Sequence, residues 1–284
     1  MKKVIYYLLG LLWFSSCETV VQLELNDGDK TLVVESYLEF SDTTDTGLAR
    51  VYLTESSNFY GNTSPNVVSN ATILIKDTYV LDEDPDSLGY YISNTPIPYF
   101  GEETFDIDIV ADIDGVEGHW MASNDFTNVP KIDTIYYDYL QAEPPFQDEG
   151  YYVLIKFNDP VEELNFYHLT VLIDDTLSFE LNGGTKRSLI LRDEYSNGSD
   201  FKFIVNDEPL KEGQTLKLIL SSITEDMYYY YFNMYTLLTE TSGIGSPPPF
   251  PLYGNVLSLN DNFSNALGNF QVRSSTVKEI TIEN

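Results

Sequence analysis

Hydrophobic and polar residues alternate with period two through much of the chain, as they do in strands with one buried face. Residues 104–109 are the clearest case: Phe105, Ile107 and Ile109 point one way, and Asp106 and Asp108 the other. Similar runs predict strands at 31–40, 49–55, 71–77 and 90–92, with a return strand at 119–123 after the Gly115 and Gly118 turn. Turn residues separate these short strands, as in a β-sandwich. The acidic segment 82–89 reads as a loop between two of them.

A break at Asn128-Val129-Pro130 opens a second set of strands at 131–140, 151–158, 166–173, 177–181, 188–192, 201–205 and 216–221. Asn182-Gly183-Gly184 and Asn197-Gly198 mark turns. One segment carries helical period. Ser222-Ile223-Thr224-Glu225 fits a capping box, and Ile223, Met227, Tyr230, Met234 and Leu237 form one stripe. Gly243 and Pro247-Pro248-Pro249 close it, and the tail at 255–259 and 268–282 returns to strand. The expected fold is mainly β: an immunoglobulin-like or transthyretin-like sandwich at 31–130, then a second β-rich domain at 131–284 with one principal helix at about 223–240.

The first residues do not fit this pattern. Lys2 and Lys3 precede an apolar run at 4–14, too short to span a bilayer, and Ser15-Ser16-Cys17 follow. Small-Small-Cys at the end of such a run resembles the bacterial lipobox, with Phe14 where an aliphatic residue is usual. Residues 1–16 are expected to be a lipoprotein signal peptide, Cys17 the lipid-bearing anchor, and 17–30 a tether. Cys17 is the only cysteine, so no disulfide competes for it.

Removing the signal leaves 13 basic residues against 45 acidic ones, a formal charge of −32. Repulsion makes nucleic acid an unexpected partner. The 22 Tyr and 16 Phe suit half-buried strands and argue against a disordered acidic tail.

Candidate chemistry is sparse. The two histidines, His119 and His168, fall in strands; His168 shares its face with Phe166, Thr170 and Leu172 and reads as half-exposed. No nucleophile elbow, zinc-protease, P-loop or dinucleotide fingerprint occurs, so no catalytic residue is assigned. Asp82, Asp84 and Asp86 have calcium-loop spacing, but Ser87 and Ser93 stand where an EF-hand loop has Gly and Glu. A solvated hairpin loop is the plainer reading, and no metal or other cofactor is expected. In the helix, Met227, Tyr230 and Tyr231 are expected to pack, leaving Tyr228 and Phe232 partly exposed as contact candidates. The stiff apolar loop 247–253 adds Phe250 and Tyr253.

Residues 31–40 (TLVVESYLEF), the strand at 71–77 (ATILIKD), Val129-Pro130-Lys131-Ile132-Asp133-Thr134-Ile135 and Leu267-Gly268-Asn269-Phe270 occur in the order and spacing of a Bacteroidetes lipoprotein family catalogued as domain of unknown function 4249. Ser36 replaces the usual Gly, and Thr134 the usual Ser. The resemblance implies a lipid-anchored outer-membrane or periplasmic protein, often encoded beside a TonB-dependent receptor, and implies no catalytic residues. The expected function is a non-catalytic accessory lipoprotein that binds a nutrient ligand or a partner. A structural or adhesive surface module is the alternative, and a hydrolase with an unrecognised carboxylate site a third. The face of the outer membrane is left open.

Overall fold

The computed structural model describes residues 29–41, 44–57, 65–101, 104–145, 147–161, 164–178, 190–194, 198–240, 250, 252 and 254–283. The first half holds β1 (Leu32–Ser41), β2 (Thr46–Glu55), β3 (Thr72–Ile75), β4 (Tyr79–Glu83), β5 (Tyr90–Ser93), β6 (Ile97–Pro98), β7 (Thr104–Ile113) and β8 (Val116–Asp125). Next come β9 (Ile132–Leu140), β10 (Gly150–Asn158), β11 (Phe166–Ile173), β12 (Thr176–Leu177), β13 (Ile190–Arg192), β14 (Asp200–Ile204) and β15 (Thr215–Ile223). Helix α1 (Glu225–Glu240), β16 (Leu257–Ser258) and β17 (Leu267–Thr281) complete the described elements. The protein is mainly β with one helix among the described residues, as the alternation predicts.

Fourteen strands form one sheet, whose main path runs β12-β11-β15-β17-β1-β2-β5-β4-β3-β7-β8-β16. A smaller sheet runs β14-β10-β9. Two large hydrophobic cores result among the described residues, with a small third cluster of Phe166, Ile223 and Met227 beneath the helix. In the first, the path from β1 to β8 wraps Leu38, Phe40, Val51, Ile73, Phe105, Ile107, Ile109 and Trp120, all at most 1% exposed. Its two ends meet through side-chain amides instead of a backbone ladder. Asn124 of β8 accepts from the Val272 amide of β17 at 2.8 Å, and Asn255 exchanges two bonds with the Phe270 backbone at 2.8 and 2.9 Å.

The second core lies between the small sheet and the inner faces of β11 and β15. Val153, Ile155 and Phe157 meet Tyr167, Leu169, Leu216, Leu218 and Leu220 there. The tail serves both cores. Residues 267–275 of β17 pair in parallel with β1, and 274–281 pair antiparallel with β15. Phe270 and Val272 pack in the first core, and Ile280 and Ile282 in the second. The tail, expected with the second domain, is therefore shared.

Two glycines allow the β1–β17 junction. Gly268 has φ +90°, and a Cβ there would meet the Val34 carbonyl oxygen. A Cβ on Gly254 would meet the backbone of Gly268.

Two local readings are corrected. Asp82 and Glu83 lie in β4, where they pair with Ile92 and Tyr91, and not in a loop. The helix begins two residues later than the capping box places it. Ser222 pairs with Ser274 in the sheet, and the Tyr228 amide bonds the Thr224 carbonyl at 3.0 Å, so Thr224 caps a helix that starts at Glu225. Ile223 still packs with Met227, but from the end of β15.

Candidate functional site

The strands that bury one set of side chains must present the other set to the opposite face. For β11, β15, β17, β1 and β2 this second face is unusually polar, and the register sets its residues in rows. His168, Ser221, Ser275 and Ser41 lie side by side across four strands. Arg273, Glu39 and Leu48 make the next row, and Gln271, Tyr37 and Arg50 the one after.

Polar groups kept from water need partners, and here they find one another. Glu39 Oε1 accepts from Arg273 Nε at 3.1 Å and from Ser275 Oγ at 2.8 Å. With Ser275 donating to the carboxylate, Ser221 donates to Ser275, the two hydroxyl oxygens lying 2.7 Å apart. The Arg273 guanidinium lies 4.4 Å from the centroid of the Tyr37 ring, within cation–π range. Arg50 donates to the Tyr37 hydroxyl at 3.2 Å, and that bond raises the guanidinium's already high pKa. Side-chain exposures of 15% for Arg273 and 28% for Glu39 keep this pair from being an ordinary surface bridge.

Helix α1 covers one end of the polar face. Met227 is buried against Phe166 and Ile223. The Tyr231 ring stacks on His168, with centroids 4.4 Å apart and planes 13° apart, and its hydroxyl accepts from Gln271 Nε2 at 2.8 Å. Burial raises the Tyr231 pKa. His168 Nε2 lies 2.9 Å from the Tyr235 hydroxyl, and Nδ1 is buried with no hydrogen-bond partner among the described residues. Burial, assisted by the nearby Arg273 charge, pushes the imidazole down to about 3, so it is neutral at ordinary pH. The half-exposed strand histidine expected from sequence is thus largely covered by a helix that no local alternation could place over it.

Beyond the helix the same face opens into a groove of about 440 Å³. Its walls carry Glu39, Arg50, Lys217 and Ser275 beside Leu48, Ile219, Pro96 and Val277. The Lys217 side chain makes no ion pair or hydrogen bond among the described residues. Apolar walls that also carry two cations and a bonded carboxylate have the make-up of a small binding site. Neither histidine makes a hydrogen bond to a serine hydroxyl among the described residues.

The residues singled out from sequence fare differently. Tyr228 is half-buried against Phe166, with ring centroids 5.3 Å apart, while Phe232 is 51% exposed and Phe250 is 40% exposed. Cys17 and Tyr253 lie outside the described residues. Asp82, Asp84 and Asp86 do not converge: Asp82 is in β4, Asp84 Oδ1 accepts from the Asp86 amide at 2.9 Å, and no group of three or more acidic, His or Cys side chains is placed to hold a metal among the described residues. His119 lies 2.6 Å from Asp108 across the β7–β8 pair. Sequence reading missed the groove residues Glu39, Arg50, Lys217 and Ser275. The available signal was weak: Glu39 and Arg50 sit at polar positions of two strong strands, and only the register joins them to Ser275 and Lys217.

Residues 18–279 match the family described as Domain of unknown function (DUF4249), and the chain belongs to that family. No curated protein matches the sequence.

Proposed function

We propose that the protein is a non-catalytic, lipid-anchored accessory component of the cell envelope. In this reading the groove beside Arg50 and Lys217 holds a ligand, or a segment of a partner, at a TonB-dependent outer-membrane transporter. The observation that supports binding is the groove itself, which gathers two cations over apolar walls in a chain with a formal charge of −30. That combination favours a ligand with an apolar body and an anionic group. The anchor rests on the sequence of residues 1–17, and the transporter on the family resemblance.

Purification of the native lipoprotein from membranes tests both halves. The transporter should copurify, and mass spectrometry of the extracted complex should find a bound anionic small molecule. The Arg50→Ala, Lys217→Ala double variant should keep the fold and lose the ligand. Repeated purifications with neither transporter nor ligand would sink the proposal.

A surface-contact role is the second reading. It is favoured by Tyr229, Phe232 and Leu238, which are 44%, 51% and 42% exposed on one helix. If Phe232→Ser abolished copurification while the groove variant did not, this second reading would replace the first.

A further inference from the structure

A second polar cluster lies where two loops meet beside the second core. Asp159 follows β10, Asn165 precedes β11, and Asp193 follows β13. Both carboxylates are 0% exposed. Asp159 accepts from the Tyr167 hydroxyl at 2.5 Å and from the Gly198 amide at 3.0 Å. Asp193 Oδ1 accepts from the Asn165 amide at 2.9 Å, and the Asp193 amide donates back to the Asn165 carbonyl at 3.3 Å.

The remaining groups do not balance. Asp159 is bonded to Gly198 of the loop that Asp193 opens, so the two carboxylates are near neighbours. The nearest cation in sequence, Arg192, pairs instead with Glu194 at 2.8 Å. Asp193 Oδ2 and Asn165 Oδ1 are both buried without a hydrogen-bond partner among the described residues. Two adjacent buried carboxylates cannot both stay ionised without a compensating charge. Burial first, and the Asp159 carboxylate after it, raise the Asp193 pKa.

We propose that Asp159, Asn165 and Asp193 form a binding site for one divalent cation of the calcium type. All the side-chain donors are oxygens, the set hard cations take, and those of Asp193 and Asn165 include one unpartnered atom each; no thiolate or imidazole is among them. The donors come from two loops, an irregular arrangement that calcium tolerates and magnesium does not. A shared proton would serve the carboxylates but leave the Asn165 carbonyl oxygen unpaired. A cation serves all three side chains at once. It also ties the two loops together at the edge of the second core.

The test uses the full-length protein in detergent, stripped with EDTA and titrated with calcium chloride or magnesium chloride. Calorimetry should find one calcium site per chain, saturating below about 10 mM, with a rise in melting midpoint that magnesium does not reproduce. Asp193→Asn should weaken calcium binding at least tenfold. Asn165→Ala, which removes one oxygen and leaves both carboxylates, should weaken it as well. Asn165→Asp should bind calcium at least as tightly as the native chain. If Asp193→Asn fails to fold, the two Asn165 variants carry the test. The proposal is overturned if calcium leaves the native melting midpoint unchanged, or if Asn165→Ala binds calcium as the native chain does. It is also overturned if Asn165→Asp shows lower stability and no response to calcium, which is the result a shared proton and a donating Asn165 amide would give.

Discussion

His168 should make the protein acid-labile in a way that one substitution removes. In the unfolded chain its imidazole takes a proton near pH 6.5, whereas in the folded state burial beneath Tyr231, with Arg273 nearby, holds it neutral down to about pH 3. Between those values the unfolded state binds the extra proton, so stability rises with pH and is lost as pH falls. The loss is about 1.4 kcal/mol per pH unit, or roughly 3 kcal/mol by pH 4. That is a large share of an ordinary domain's 5–15 kcal/mol. The 45 acidic residues also titrate in this range, so the useful quantity is a difference between two proteins. His168→Gln keeps a polar group near the Tyr235 hydroxyl and cannot titrate. It should cost stability at pH 7, because packing on Tyr231 is lost. Urea unfolding at pH 7, 6, 5 and 4, followed by tryptophan fluorescence, gives both curves. The gap between native and variant should narrow as pH falls, and close or reverse by pH 4. Curves that stay parallel would show that the folded imidazole takes its proton near pH 6.5, and the account of its burial would be wrong.

Other substitutions probe separate parts of the structure. Gly268→Ala combines a positive φ with a Cβ placed against the Val34 carbonyl, so it should destabilise by more than about 2 kcal/mol and lower the urea midpoint. Met227→Ala empties the contact between helix and sheet and should cost about 2–5 kcal/mol, whereas Phe232→Ser, on the exposed side of the same helix, should stay within about 0.5 kcal/mol. Equal costs for these two would mean that the helix does not dock through its Met227 face. Cys17→Ala should move the protein from the membrane to the soluble fraction; if attachment survived, the anchor would lie elsewhere.

How much was legible depended on whether the deciding interaction was local. Period-two alternation located most strands because burial on one face is written into each segment, as Phe105, Ile107 and Ile109 illustrate. Strand β4 was missed because Asp82 and Glu83 make its end look like a loop, although exposed acids are compatible with a strand paired on both sides. The helix start was set two residues early because Ser222 has cap chemistry. Its pairing with Ser274, 52 residues on, outweighs that local preference. The groove was harder still. Glu39 meets Arg273 and Ser275 across more than 230 residues of chain, and no local pattern encodes such a meeting. The Asp159–Asp193 pair was hidden for the same reason, each carboxylate reading alone as a loop acid.

The shared strand β17 sets an order of events for the chain. A polypeptide delivered from its N-terminus offers β1 early, but its parallel neighbour arrives only with residues 267–275. Strand β15 has β11 on one side from the start, but its other neighbour comes later still, with residues 274–281. Until then both hydrophobic layers stay open along one edge, however much local structure has formed. Folding should therefore proceed as a single late closure, slow because its decisive contacts are distant in sequence. A nascent chain stopped before residue 267 should remain a substrate for chaperones and proteases, and completion of one strand should protect both halves together.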